Sequence, residues 1–113
     1  ALAEFIGPLR AKCGEWGKLT LDVLQRAAGN PEELGAASTD YLFYSGYVVL
    51  AYWWARSVAA ADASERPQAF KDAKRETARF YFARILPRTL AHKAAIEAGA
   101  ASLMSMPDAG FGA

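Results

Sequence analysis

One cysteine, one histidine and no run of alternating apolar and polar residues leave this chain of 113 residues short of chemistry. A lone Cys13 excludes an internal disulfide and any multi-cysteine metal site, and the residue is expected as a small buried hydrophobe. A lone His92 excludes histidine clusters. With Arg88 and Lys93 close by, it reads as a half-exposed residue near the C-terminal end of a helix; its functional alternative is a general base or a phosphate contact. There is no Gly-rich phosphate loop, Walker motif or zinc-ligand cluster. Ser45, Ser57 and Thr77 fall within helical segments with no histidine in sequence position to activate them. Among the acid pairs, Glu32 and Glu33 serve a helix start, and Asp72 and Glu76 are spaced to pair with Lys71, Arg75 and Arg79. No catalytic and no metal-binding residue is assigned.

Charge and long apolar runs are scarce as well. The formal net charge is +1, so composition makes no case for a nucleic-acid partner or an acidic substrate. The longest uncharged stretch, Tyr41 to Ala55, covers 15 residues, short of the roughly 20 that a bilayer span needs. Its hydroxyl- and indole-bearing side chains lie through the middle as well as at the ends, whereas membrane helices gather Trp and Tyr at the interfaces. No membrane span is expected. No basic segment leads into an apolar run as a secretory signal would, so a cytoplasmic setting is the expectation.

What the chain has is helix punctuation. Gly7-Pro8 marks a first start, Pro8 being suited to a first helical turn. Leu9, Cys13, Trp16, Thr20, Val23, Leu24 and Ala27 then recur at helical spacing until Gly29. Asn30-Pro31-Glu32-Glu33 opens the next helix, with Asn30 as cap, Pro31 at the first position and Glu33 placed to reach back to the cap. That helix is expected from Pro31 to Ala61, about 45 Å at 1.5 Å per residue. Gly46 in its middle is costly unless close packing needs a missing side chain. Ser64-Glu65-Arg66-Pro67 breaks the chain, and an amphipathic third helix follows from Pro67 to Leu86. Phe70, Ala73, Thr77, Ala78, Phe80, Tyr81 and Ile85 form its apolar side. Pro87 calls for a kink or break, then a fourth helix from Arg88 to Ala98. Residues 106–113 form an aperiodic tail, expected to be mobile. The fold class is all-α: a single domain over 1–113, an antiparallel bundle of three long helices and one shorter.

The second helix is apolar on every face. Phe43, Tyr47, Leu50 and Trp54 line one side; Leu42, Val49 and Trp53 the next; Tyr41, Val48 and Tyr52 a third. Such a helix must be surrounded, and a chain this short can hardly do so alone. The chain therefore reads as part of something larger, with Tyr47, Tyr52, Trp53 and Trp54 as interface candidates and self-association expected of the isolated piece. Charge is also uneven along the sequence: eight Lys or Arg stand between Arg66 and Lys93 against two acids. Either those cations pair with acids on neighbouring segments, or they form a basic surface for an acidic protein or a phosphorylated ligand. Arg75, Arg79 and Arg88 are the candidates for that surface.

The ordered set Asp40-Tyr41-Leu42, Gly46, Trp54 with Arg56, Lys74 with Ala78-Arg79-Phe80-Tyr81, Leu86-Pro87-Arg88 and Gly99 to Leu103 resembles the extra C-terminal helical module of long bacterial acyl-CoA dehydrogenases. The branch it most resembles is the one that includes methylthiopropanoyl-CoA dehydrogenase-like enzymes. The likeness covers about residues 30–104; residues 1–29 match only as a generic helix. It implies a parent flavoprotein that removes hydrogen across the α,β carbons of an acyl-CoA thioester. A carboxylate base takes the α proton and FAD the β hydride. Base, FAD contacts and CoA groove belong to the segments before this module, so no residue here takes those roles. No cofactor is expected in this chain. The implied partners are the remainder of the dehydrogenase and a second copy in a homo-oligomer, with acyl-CoA as the parent's substrate. Two alternatives stay open: a helical binding module working through its basic third and fourth helices, and an independent helical protein.

Overall fold

Two heptad-spaced seams set the architecture. In the computed structural model, which describes residues 2–112, α1 (Ala3–Gly29) and α2 (Glu32–Ala63) lie antiparallel across a tight corner at Asn30 and Pro31. The inward positions of α1 are Phe5, Leu9, Lys12, Trp16, Leu19, Val23 and Arg26, alternating four and three residues apart. Those of α2 are Ala37, Tyr41, Tyr44, Val48, Ala51, Ala55 and Val58, on the same alternation. This is the spacing that lets two helices keep one seam in contact. Leu19, Val23, Ala37, Tyr44 and Val48 form one buried cluster with Ile96; Phe5 and Val58 form another with Ala78.

The rest of the chain returns along α2. Helix α3 (Gln68–Phe80) runs into a π-helical turn (Tyr81–Ile85), a 3-10 turn (Leu86–Arg88) and α4 (Thr89–Ala98). The expected third helix to Leu86 therefore ends as α-helix at Phe80. The cause is Pro87, which offers no N–H to the carbonyl one turn back. The helix widens before it, and the Leu86 N–H reaches the Tyr81 carbonyl. Phe80, the last residue of α3, points to solvent, while beyond it Phe82 packs beside Trp54 and Tyr81. Ala73 and Thr77 are exposed too. A short α5 (Ala101–Met104) and a 3-10 turn (Asp108–Gly112) complete the chain, so the aperiodic tail does take up a turn, with every described residue exposed.

Polar side chains fix the helices in place. The buried Tyr44 hydroxyl donates to Glu15 Oε1 at 2.6 Å, and Lys12 reaches the same oxygen at 3.1 Å. Tyr81 donates to the Tyr47 carbonyl at 2.6 Å, pinning the π turn onto α2, and burial pushes its phenol up to about 12. At the corner, the Asn30 side chain caps α2 by accepting the Glu32 N–H at 3.1 Å. Glu33 does not reach back to the cap as expected; it accepts the Ala100 N–H at 3.1 Å and faces Arg26 at 3.5 Å. Arg26 also donates to the Ile96 carbonyl at 2.9 Å, closing the C-terminal end of α4 from outside. Gly99 between them has φ 74°, and a side chain there would meet Arg26 Nη1 at 3.1 Å. Only glycine serves at that point.

Three further expectations are corrected. Helix α1 begins at Ala3, not Pro8: near a solvent-exposed start the proline forfeits only the bond to the Glu4 carbonyl. Cys13 is exposed, because the inward seam passes through Lys12 and Trp16 on either side of it. Leu24 is exposed for the same reason.

Two carboxylates tie the helices at acid-sensitive points. Burial would raise Glu15, but hydrogen bonds from Tyr44 and Lys12 outweigh it and hold the carboxyl below its ordinary 4.5. The hydrogen bond from Arg79 lowers Glu4. Groups whose folded values are depressed contribute stability that is complete above the unfolded value and is lost as pH falls through the folded one. Thermal melts should show a midpoint steady near neutrality and falling below about pH 4.5. Tyr44→Phe should shrink the acid-side loss owed to Glu15. A midpoint unchanged down to about pH 3 in the wild type would contradict this account.

Candidate interaction surface

The chain covers only one side of α2. Helix α1 and the α3–α4 arm both pack against its inward half, and the molecule measures 65 × 30 × 16 Å. Its Cα radius of gyration is 18.8 Å, against about 13 Å for a compact domain of 100 residues. The outward half of α2 therefore meets solvent with Leu42 69 %, Trp53 55 %, Phe43 51 % and Leu50 50 % exposed. Val49 and Tyr52 join them at 41 % each. Between Asp40 and Asp62 this face has one charge, Arg56, whose guanidinium donates to the Tyr52 hydroxyl at 2.7 Å and lies over the Trp53 ring at 6.0 Å. Gly46 sits in the middle, with nothing within 4 Å of where a side chain would begin.

The four interface candidates divide. Tyr52 and Trp53 stand edge to face on the open side, ring centroids 5.3 Å apart. Trp54 is half-buried and packs into two of the chain's own clusters. Tyr47 is half-buried too, its carbonyl taken by Tyr81 and its ring 5.8 Å from His92. Leu42, Val49 and Leu50 complete the open face. Their signal in the sequence was the missing charge opposite an already apolar side, not any aromatic residue.

Beside this face runs a groove of about 830 Å³ between α1 and α2, walled by Trp16, Val23, Leu24, Leu34, Tyr41 and Leu42. Thr20 and Tyr41 share a hydrogen bond of 2.7 Å across it. The Trp16 Nε1 and Ser45 Oγ atoms, both from groove-lining residues, are buried without a partner. A second concavity combines Arg10, Lys18 and Lys93 with Glu15, Asp22 and Glu97. Neither fits a flavin: the apolar groove has no cation to meet a pyrophosphate, and the other answers its cations with carboxylates.

The basic candidates divide as well. Arg79 donates to Glu4 at 2.6 and 3.0 Å and also pairs with Glu76. Arg75 meets Asp62 at 2.8 Å and Glu4 at 3.6 Å. Arg88 is exposed at the 3-10 turn. Lys74 lies over the Phe70 ring at 5.4 Å. His92 Nδ1 is 2.8 Å from Asp40 Oδ1, and its ring stacks on Phe43 at 5.3 Å. That pair ties α4 to α2. No group of three or more His, Cys, Asp or Glu among the described residues is arranged to hold a metal ion. No helix among them is long and apolar enough to cross a membrane.

Residues 1–107 match the family model described as acetyl-CoA dehydrogenase C-terminal like. The match takes in α1, which the sequence motifs had left as a generic helix. No curated protein and no solved structure matches the chain.

Neighbouring tryptophans should respond differently to truncation. Trp54→Ala removes a side chain packed between α1, α2 and α3, and should lower the stability of this chain by about 2–4 kcal/mol. Within a single copy, Trp53→Ala should change it by less than about 1 kcal/mol, because the chain itself leaves that ring largely in water. Paired thermal or urea melts at concentrations where the chain is monomeric measure both, and equal losses there would mean that its own fold encloses Trp53.

Proposed function

Because the chain belongs to the acetyl-CoA dehydrogenase C-terminal like family, we propose that it is the C-terminal helical module of an FAD-dependent acyl-CoA dehydrogenase of the methylthiopropanoyl-CoA dehydrogenase-like branch. It acts by packing, on the catalytic body or across the dimer, and takes no part in the chemistry. The observation that carries this reading is the open half of α2, an apolar helix face with a single charge folded onto its own aromatics. Faces of that kind mark interaction sites on otherwise soluble proteins. FAD, the acyl-CoA thioester and the carboxylate base belong to other segments of the parent, whose setting is cytoplasmic.

The rival reading, recruitment of an acidic protein or a phosphorylated ligand by the basic arm, has less support. Two of its three arginines already meet carboxylates: Arg75 with Asp62 and Glu4, Arg79 with Glu4 and Glu76. A partner would have to displace those contacts before it gained its own. A packing role needs no displacement, since the described residues leave Leu42, Val49 and Trp53 between 41 and 69 % exposed.

The dehydrogenase polypeptide, intact and with this module deleted, provides the test. The intact protein should show flavin absorbance and reduce an electron acceptor when supplied with acyl-CoA thioesters. Deletion should lower its melting midpoint by about 5 °C or more or change its oligomeric state. A deleted enzyme with unaltered midpoint and mass would remove the packing role, and an intact protein without flavin would remove the family chemistry.

A further inference from the structure

We propose that the outward face of α2 pairs with the same face of a second copy, the two helices antiparallel about a two-fold axis between positions 47 and 48. This rests on the packing reading and names the partner that the open face takes. The outward positions Leu42, Gly46, Val49 and Trp53 are spaced four, three and four residues apart, which is the spacing of a coiled-coil seam. About that axis Gly46 of one copy meets Val49 of the other, and Leu42 meets Trp53. Small faces large at the centre, and the missing side chain at Gly46 lets the axes approach toward the lower end of the usual 8–10 Å. Farther out on the same row, Thr39 falls opposite Arg56 and Gly35 opposite Ala60.

Area and charge agree with this occupant. Leu42, Val49, Leu50 and Trp53 on this side are between 41 and 69 % exposed. Taking about 150–250 Å² for a fully buried aromatic as the upper scale, they offer on the order of 400 Å² per copy. A standard interface takes about 800 Å² per partner, so the patch supplies about half of one side of a stable dimer. The only charge in the contact, Arg56, is held on Tyr52 and Trp53 and would stand opposite Thr39. No like charges meet.

The full chain in a Cys13→Ser background, carrying Gly46→Cys with Val49→Cys, tests the register. Mild oxidation should give linked dimers whose peptide map joins position 46 of one copy to position 49 of the other. Leu42→Glu with Val49→Glu alters only exposed positions. It should keep the helical circular dichroism and weaken self-association in sedimentation by roughly 100-fold. A chain that stays monomeric at micromolar concentrations would overturn the proposal. So would links joining 46 to 46 and 49 to 49, the signature of parallel pairing. If deleting the module destabilises the dehydrogenase while the 46–49 link is absent, the packing reading stands and the pairing alone is rejected. If the link forms but deletion leaves the enzyme unaltered, the pairing stands and the supporting role falls.

Discussion

Helices α1, α3 and α4 are all fastened to one seam, the row of small, aromatic and β-branched residues from Ala37 to Val58 down the inward side of α2. Helix α1 packs on it from one flank and the α3–α4 arm from the other, while α1 and α4 meet mainly at the Arg26 corner. The seam works because its residues differ in size. Ala37 and Ala51 let the neighbouring helices close in, and Tyr44 fills the gap between them with its hydroxyl on Glu15. A bundle built this way is a layer rather than a sphere. The same geometry that gives α2 a good inner face leaves its outer face without a covering element among the described residues.

Much of the chain's polar chemistry goes into holding that layer together. Of the basic arm, Arg75 and Arg79 fasten α3 to the start of α1 through Glu4, and Arg75 also reaches the end of α2 at Asp62. Arg26 and Glu33 together close the α1–α2 corner over the end of α4. His92 and Asp40 fasten α4 to α2. His92 is oriented by a carboxylate, and its ring lies on Phe43 and near Tyr47. Its effect is a tether between two helices.

Helix number, order and most boundaries were legible because caps and prolines act locally. Asn30 and Pro87 each announce a change of backbone state within a turn of where it happens. Faces were less legible, and for a reason of period. Read at 3.6 residues per turn, the α1 stripe passes through Cys13 and Leu24, whereas the packed seam follows 3.5 and passes through Lys12, Leu19 and Arg26. Lys12 and Arg26 look polar in the sequence, yet they sit at seam positions because Glu15, Glu33 and the Ile96 carbonyl receive their charges. In α3 the expected apolar side was already out of phase, with Ala73, Thr77 and Phe80 exposed, and beyond it the π turn adds a residue that periodicity cannot foresee. The open face of α2 was legible as an excess of apolar residues. Which side would remain uncovered was not, because that depends on where α1 and α4 dock.

Gly46 separates a helix that is merely apolar from one shaped for contact. Glycine inside a helix costs about 1 kcal/mol relative to alanine, and here no turn, positive φ or neighbouring atom asks for it. Its flanks along the outward row, Leu42 and Val49, are large and exposed. If that face met only water, alanine at 46 would be better for the helix and polar residues at 42, 49 and 53 better for solubility. The opposite choice at all four positions makes a depression with raised apolar sides, which fits the ridge of another helix. The inward seam uses the same device, with Ala37 and Ala51 set among Tyr44, Val48 and Val58. Helix α2 thus has two apolar faces of similar build on opposite sides, and this chain covers one of them.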